Sequence, residues 1–462
     1  MTREILIVPG DVPATDSGTA RPARAQRRSP TELPFTFATP ELVERLVIAR
    51  GEPDWLRTER LVAAAAFDTL PIEPNQLYTT YVDLRAADLA DVDPYVEDAP
   101  AGLGDDLADL DLPDGVHLET FSAWLERDPA GYRATLDGGA TLPAGEKLAM
   151  LARGFWSHGR HLEVAAGVQV RQPIVIRWRT GAPNRALVSR TIVQLGAGAS
   201  ASVVEEQVPS TGDVECAEGQ TVPQGFFHGT TEVVLGAEAR LSFASIQDLG
   251  LDQIAFQHRY ARIGEAAQLH WAMAQLGGRL VRSRVDNRLE GDRGSVEQVE
   301  IVFGTGDQFF DLTSYTTHLG RDTTGNLLSK GALMDRARSY MKGLITIEKS
   351  AVGTDSYLGE FGMNLSKATR AVAIPSLEID QPDCRRAMHA SSVGPIDQGQ
   401  LFYLESRGID PDDARKFIVL GFLEPVVARV PLEAAQERLR ELLEEKWAAG
   451  SHGTAGSAGA AA

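Results

Sequence analysis

Hydrophobic positions change their spacing twice along the chain, and each change marks a different kind of structure. Residues 10–37, GDVPATDSGTARPARAQRRSPTELPFTF, show no apolar periodicity and are rich in Pro, Ser, Thr and Arg, which predicts a flexible lead-in over 1–37. Thr39 followed by Pro40 is a helix cap with a first-turn proline, and ELVERLVIA carries apolar residues at helical spacing, so a helix of about ten residues starts there. EPDWLRTERLVAAAAFDTLP repeats the pattern, with Trp55, Leu56, Leu61 and Phe67 on an alanine-rich helix that Pro71 stops. From about Val164 the period drops to two: short runs rich in Val, Ile and Ala alternate in and out and are separated by glycine turns. Near Leu195, Leu235, Ile263 and Leu289 an apolar residue precedes a Gly or Glu-Gly turn, a small residue and another alternating run, at separations of 40, 28 and 26 residues. One turn per irregular unit, with no helix between, predicts stacked coils of strand: a right-handed parallel β-helix over 164–396, whose ends must be capped by other elements. The helical regions at 38–163 and 397–447 are the available caps.

After residue 396 helical spacing returns. Asp397 can cap QGQLFYLESR, which Gly408 ends, and Asp410 with Pro411 opens a second helix. In that helix Ala414, Phe417, Ile418, Gly421 and Phe422 form one apolar stripe. A third helix starts after Pro431 and runs to about Trp447, and 448–462 reads as a disordered tail. The fold class is thus mainly β, a solenoid core flanked by helical regions.

Charge narrows the function. With 64 acidic and 45 basic side chains the formal charge is -19, which repels phosphate backbones and anionic lipid, so neither nucleic acid nor a membrane is an expected partner. Tyr81 to Ala130 hold 14 acidic residues against Arg85 and Arg127, and this predicts a solvated acidic insertion. Two cysteines, Cys216 and Cys384, are too few for a disulfide framework or an all-cysteine metal site and fit a reduced, cytoplasmic setting. No G-x-x-x-x-G-K-[ST], G-x-S-x-G or H-E-x-x-H occurs, so the chain has no ATP site of its own and no hydrolase signature. His158 and His161 would share a face on a helix, which Gly154 and Gly159 disfavour. His318 could join Asp307 and Asp311 as an acid/base cluster, the basis of an alternative reading as a carbohydrate-active, lyase-like β-helix enzyme.

PSLEIDQPDCRRAMHASSVGPIDQGQLFYLESRGIDPDDARKFIVLGF, residues 375–422, resembles the core of the SufB/SufD family, scaffold subunits of the SUF iron-sulfur cluster assembly machinery. Pro375, Leu377, Glu378, Ile379, His389, Gly394, Asp397, Leu401 to Leu404, Ser406 to Ile409, Gly421 and Phe422 carry the likeness. EPDWLRTERL, GVQVRQPIVI, ASIQDLG, AQLGGRLVRS and SKGALMDRARSYMKGLITIEKSA extend it upstream. The resemblance implies a noncatalytic scaffold that pairs with a SufB-like subunit and docks the ABC-type ATPase SufC. A homodimer is the other pairing considered. It also implies a transient iron-sulfur cluster at the interface with SufB, with the histidine matching His389 as a candidate ligand. The SufB-type cysteine would fall near Glu360, where there is none, so the chain is SufD-like. Many SufD sequences place a cysteine two residues before the histidine; Cys384 stands five before His389 and is the weaker metal candidate. Partner-docking candidates are Phe402, Tyr403, Arg407, Phe417 and Phe422, aromatic and Arg side chains of the kind enriched at interfaces.

Overall fold

The computed structural model describes residues 29–33, 35–104, 107, 112–137, 142–180, 182–210 and 223–450. Two helices open it, α1 (Pro40–Arg50) and α2 (Asp54–Thr69), the first capped by Thr39, whose hydroxyl accepts from Leu42 N. Two short strands, β1 (Asp93–Pro94) and β2 (Val116–Thr120), and three helices, α3 (Phe121–Arg127), α4 (Pro129–Leu136) and α5 (Lys147–Phe155), lead to the solenoid. Its coils, two strands each, are β3 (His158–Val164) with β4 (Ile174–Thr180), β5 (Arg185–Leu195) with β6 (Ser200–Pro209), β7 (Gly225–Leu235) with β8 (Arg240–Gln247), and β9 (Gln253–Ile263) with β10 (Gln268–Gln275). β11 (Leu280–Leu289) with β12 (Ser295–Gly304), β13 (Phe309–His318) with β14 (Thr324–Leu333), β15 (Arg338–Ile347) with β16 (Asp355–Asn364), and β17 (Arg370–Ile379) with β18 (Arg386–Gly394) complete eight coils. Odd strands stack in parallel as one sheet and even strands as the other. Helices α6 (Gln398–Ser406), α7 (Pro411–Val427) and α8 (Glu433–Ala449) follow.

The expected turn positions coincide with the coil period. Leu195, Leu235, Ile263 and Leu289 are the last residues of β5, β7, β9 and β11 and lie in register with one another. The long first interval contains residues 211–222, outside the described set, between β6 and β7. Glycine is required at the turns because successive coils nearly touch: a Cβ on Gly264 would stand 2.6 Å from Leu235 O, and one on Gly291 2.0 Å from Glu265 N. Within each strand every second side chain points inward, building a core from residues such as Phe243, Trp271, Val285 and Phe310.

Two expectations about the surroundings of the rod are corrected. The helices cover the sides of the rod rather than its ends, and of the two flanking regions only 38–163 closes an end, through its segment 81–130. Residues of α1, α2 and α5 pack against outward side chains Ala186, Phe226, Ile254, Leu280 and Phe309 of the odd-strand sheet. Residues of α7 and α8 pack against Ala244, Ala272, Ile301 and Ala332 of the other. The acidic segment 81–130 is not simply solvated: its apolar residues Tyr95, Val116 and Leu118 are buried in the solenoid core, and Leu103, Leu107 and Leu112 pack on the same cluster. Among its described carboxylates Asp88, Asp91, Asp93, Glu97, Asp98, Asp114 and Glu126 are exposed, while its sparse hydrophobic residues plug the first coil. Phe35, inside the expected lead-in, is likewise buried, its ring 5.1 Å from that of Phe226. Residues 1–28 and 451–462 lie outside the described residues, as does Cys216.

Candidate functional site at the uncovered end

The two ends of the rod differ. β17 and β18 terminate their sheets, and every residue in them is exposed or half-buried, whereas most of β13 is buried. Ile379, Met388 and Val393 are exposed there, apolar side chains on strands whose outer edges have no neighbour among the described residues. Pro375 sits inside β17. A proline removes an N–H donor from such an edge and restrains indiscriminate strand pairing.

His389 lies on β18 and is exposed. It pairs in register with Leu358 of β16, a fully buried core residue, so it occupies the lumen side of the last coil. Cys384 precedes β18 and is half-buried against the cluster of Leu327, Ile345 and Ile347, with Leu377 and Ala387. Among the described residues no three His, Cys, Asp or Glu side chains gather as a metal site.

Beneath this end runs a feature that the sequence reading missed. Parallel register stacks Glu205, Ser245, Met273, Glu300, Ser329, Glu360 and Ser391 in one inward row of the even-strand sheet. Glu205 is neutralised by Arg259 at 3.1 Å and accepts from the Ser245 hydroxyl at 2.7 Å. Glu300 accepts from Ser283 and Gln275, and burial raises its pKa. Glu360, 1% exposed, accepts from the Ile374 amide at 2.8 Å; burial pushes its carboxyl up to about 8, against that bond and the more distant Lys342 ammonium. The signal was legible: Glu300, Ser329, Glu360 and Ser391 recur at the coil spacing, polar residues where inward apolar ones are due.

The docking candidates gather beside the same end. Asp397 caps α6 by accepting from Gln400 N at 2.9 Å, Gly408 turns the chain at φ +86°, and Asp410 caps α7. Phe402 is 71% exposed, Tyr403 57% and Phe417 57%, with the Arg407 guanidinium 5.2 Å over the Tyr403 ring. Phe422 is half-buried under the Lys330 ammonium, which donates to its carbonyl at 3.0 Å. The expected stripe on α7 is therefore corrected. Ala414 is buried and Ile418 and Phe422 are half-buried against the apolar cluster, whereas Phe417 and Gly421 are exposed, and Val419, Leu423, Val426 and Val427 complete the buried face. Phe361, Met363, Ser392, Gln400, Phe417 and Phe422 line a groove of about 490 Å³ between α7 and the last coils.

The other histidine candidates are structural. His158 and His161 lie on strand β3, where positions three apart face opposite ways. His161 stacks on Trp124 at 3.5 Å and pairs with Gln194, and burial pushes His158 down to about 3. The lyase-like cluster does not form. His318 is buried between Thr323 and Ser356, with its pKa pushed down by burial to about 4; Asp311 is held by Arg282 and Lys342, and Asp307 by Arg336 at the surface.

These features define a helix-flanked parallel β-solenoid that is plugged at one end and bare at the other. The family model for the SufBD core domain of the SUF system for FeS cluster assembly matches residues 178–422, and the chain belongs to that family. It is 28% identical over 301 residues to the iron-sulfur cluster assembly protein SufD of Bacillus subtilis, covering 65% of this chain and 67% of that one. SufBD family iron-sulfur cluster assembly proteins of Mycobacterium leprae and Mycobacterium tuberculosis are 31% and 32% identical over 229 residues, 48% of this chain and 58% of theirs. The alignments with the mycobacterial relatives thus span little more than half of their length. No helix among the described residues is long and apolar enough to cross a membrane.

Proposed function

We propose that this chain is a noncatalytic, SufD-like subunit of a cytoplasmic iron-sulfur assembly scaffold. It pairs with a SufB-like subunit through β17 and β18 and docks the SufC ATPase on α6 and α7. The observation that carries the reading is the asymmetry of the rod: the first coil is plugged by the chain's own hydrophobic residues, while the last exposes Met388, Val393 and Ile379 on strands whose outer edges have no partner among the described residues. A bare parallel edge is competent to continue into a second solenoid, because main-chain groups there still need partners. Exposed Phe402, Tyr403 and Phe417 give a neighbouring ATPase subunit rigid anchors. The nascent cluster, as cargo, would form across the paired ends, with the His389 imidazole as this chain's ligand. The bare edge also supports a second reading, pairing with another copy of this chain. Affinity capture of the tagged chain from its host tests the proposal. Recovery of an ABC-type ATPase and a SufB-like chain is expected; recovery of neither contradicts it, and a dimer of the isolated chain in sizing chromatography favours the second reading.

A further inference from the structure

Leu33 and Phe35, the end of α2 and the start of α5 enclose a cavity of about 460 Å³ on the N-terminal helical region, a volume in the range that small ligands occupy. None of its lining residues belongs to β17, β18 or the C-terminal helices. Leu70 leaves α2 in extended backbone, and Phe35 stacks on Phe67 at 6.2 Å, so that Leu33, Phe35, Phe67 and Ile72 make the walls apolar. One charge among these walls is uncompensated. Lys147, the first residue of α5, is half-buried; its ammonium lies 4.3 Å over the Phe67 ring and donates to the Phe67 carbonyl, a neutral acceptor. It forms no ion pair among the described residues, and burial holds its pKa below the usual lysine value against the field of Asp68. Glu73, also in the lining, is already matched by Arg282 at 2.7 Å, and Glu32 is exposed. A half-buried cation among apolar side chains, with no counterion, selects a ligand that is negative at one end and apolar along the rest.

We propose that this cavity binds an apolar carboxylate of the medium-chain fatty acid class, with its carboxylate on the Lys147 ammonium and its chain along Phe35, Phe67 and Ile72. The inference is independent of the scaffold reading. The ligand ties Leu33 and Phe35 to α2 and α5, so it stabilises the folded chain by mass action.

Decanoate is the probe, with decanol as its uncharged counterpart. Both are titrated into the purified full chain by calorimetry, and the melting midpoint is followed in parallel. Saturable binding of decanoate and a rise in the midpoint are expected. Decanol should bind more weakly by about tenfold or more, and Lys147→Met should weaken decanoate by a similar factor while leaving decanol unchanged. Lys367→Met, at an exposed lysine outside the cavity, should behave as the parent. Leu70→Trp fills the cavity from a half-buried position and should abolish binding; it carries the test if Lys147→Met does not fold. No saturable decanoate binding by the parent, parental affinity in a folded Lys147→Met or Leu70→Trp, or decanol binding as tightly as decanoate overturns the proposal. Binding that appears only in Leu6→Asp overturns it as well, by assigning the cavity to the chain's own apolar run at residues 5–8.

Discussion

Glu360 shows how a single buried group links pH to the integrity of the bare end. Its carboxyl is raised from 4.5 to about 8 by burial, so the folded chain holds a proton that the unfolded chain releases at lower pH. The stabilisation from that proton is complete below about pH 4.5 and is lost as pH rises through about 8. Unfolding titrations should show the parent losing stability relative to Glu360→Gln across this window, by on the order of a few kcal/mol. Parallel pH profiles would contradict the assignment. Arg282 is the opposite case, a charge whose partners are all present. It bridges Glu73 and Asp311 at 2.7 Å each, with Lys342 on the same Asp311, and ties the N-terminal region to the odd-strand sheet. Arg282→Ala leaves two buried carboxylates short of a cation, and a loss of about 3–5 kcal/mol in denaturant unfolding is expected. A loss below about 1 kcal/mol would mean that the network relaxes around water.

At the scale of elements, the coil is the unit, and its turns are the least forgiving positions. Gly264→Val would drive a side chain into Leu235 O, and a destabilisation of about 1–3 kcal/mol, read from the melting transition, is expected even though the residue lies at a turn. The coil period was legible because each unit repeats the same physical demand: an apolar end to a strand, a glycine where backbones meet, then alternation. The helices were legible from Thr39, Asp397, Asp410 and Gly408, whose chemistry acts locally. What lay beyond the sequence was the choice between faces. α7 has apolar residues on two sides, and periodicity does not say that Val419 and Leu423 dock while Phe417 stays out. In segment 81–130 the acidic residues outnumbered the few apolar ones that plug the first coil, because a count of charges is blind to which side of the backbone they occupy. The region around His389 was legible by resemblance, but its neighbour Glu360 emerges only when strands 31 residues apart are laid in register.

For the whole molecule, the decisive property is that one end is finished and the other is not. The exposed aromatics beside the bare end contribute little to folding, so Phe417→Asp should abolish capture of an ABC-type ATPase while moving the melting temperature by no more than a typical surface substitution. A fall in melting temperature together with capture would instead make Phe417 a folding residue. The central claim is that β17 and β18 are the pairing face, and hydrogen exchange on the free chain and on the affinity-captured complex tests it most directly. Edge amides of β17 and β18 are expected to exchange rapidly in the free chain and become strongly protected in the complex, while the plugged end around Tyr95 and Val116 is unchanged. Protection appearing at the plugged end, with β17 and β18 still exchanging freely, would contradict the account.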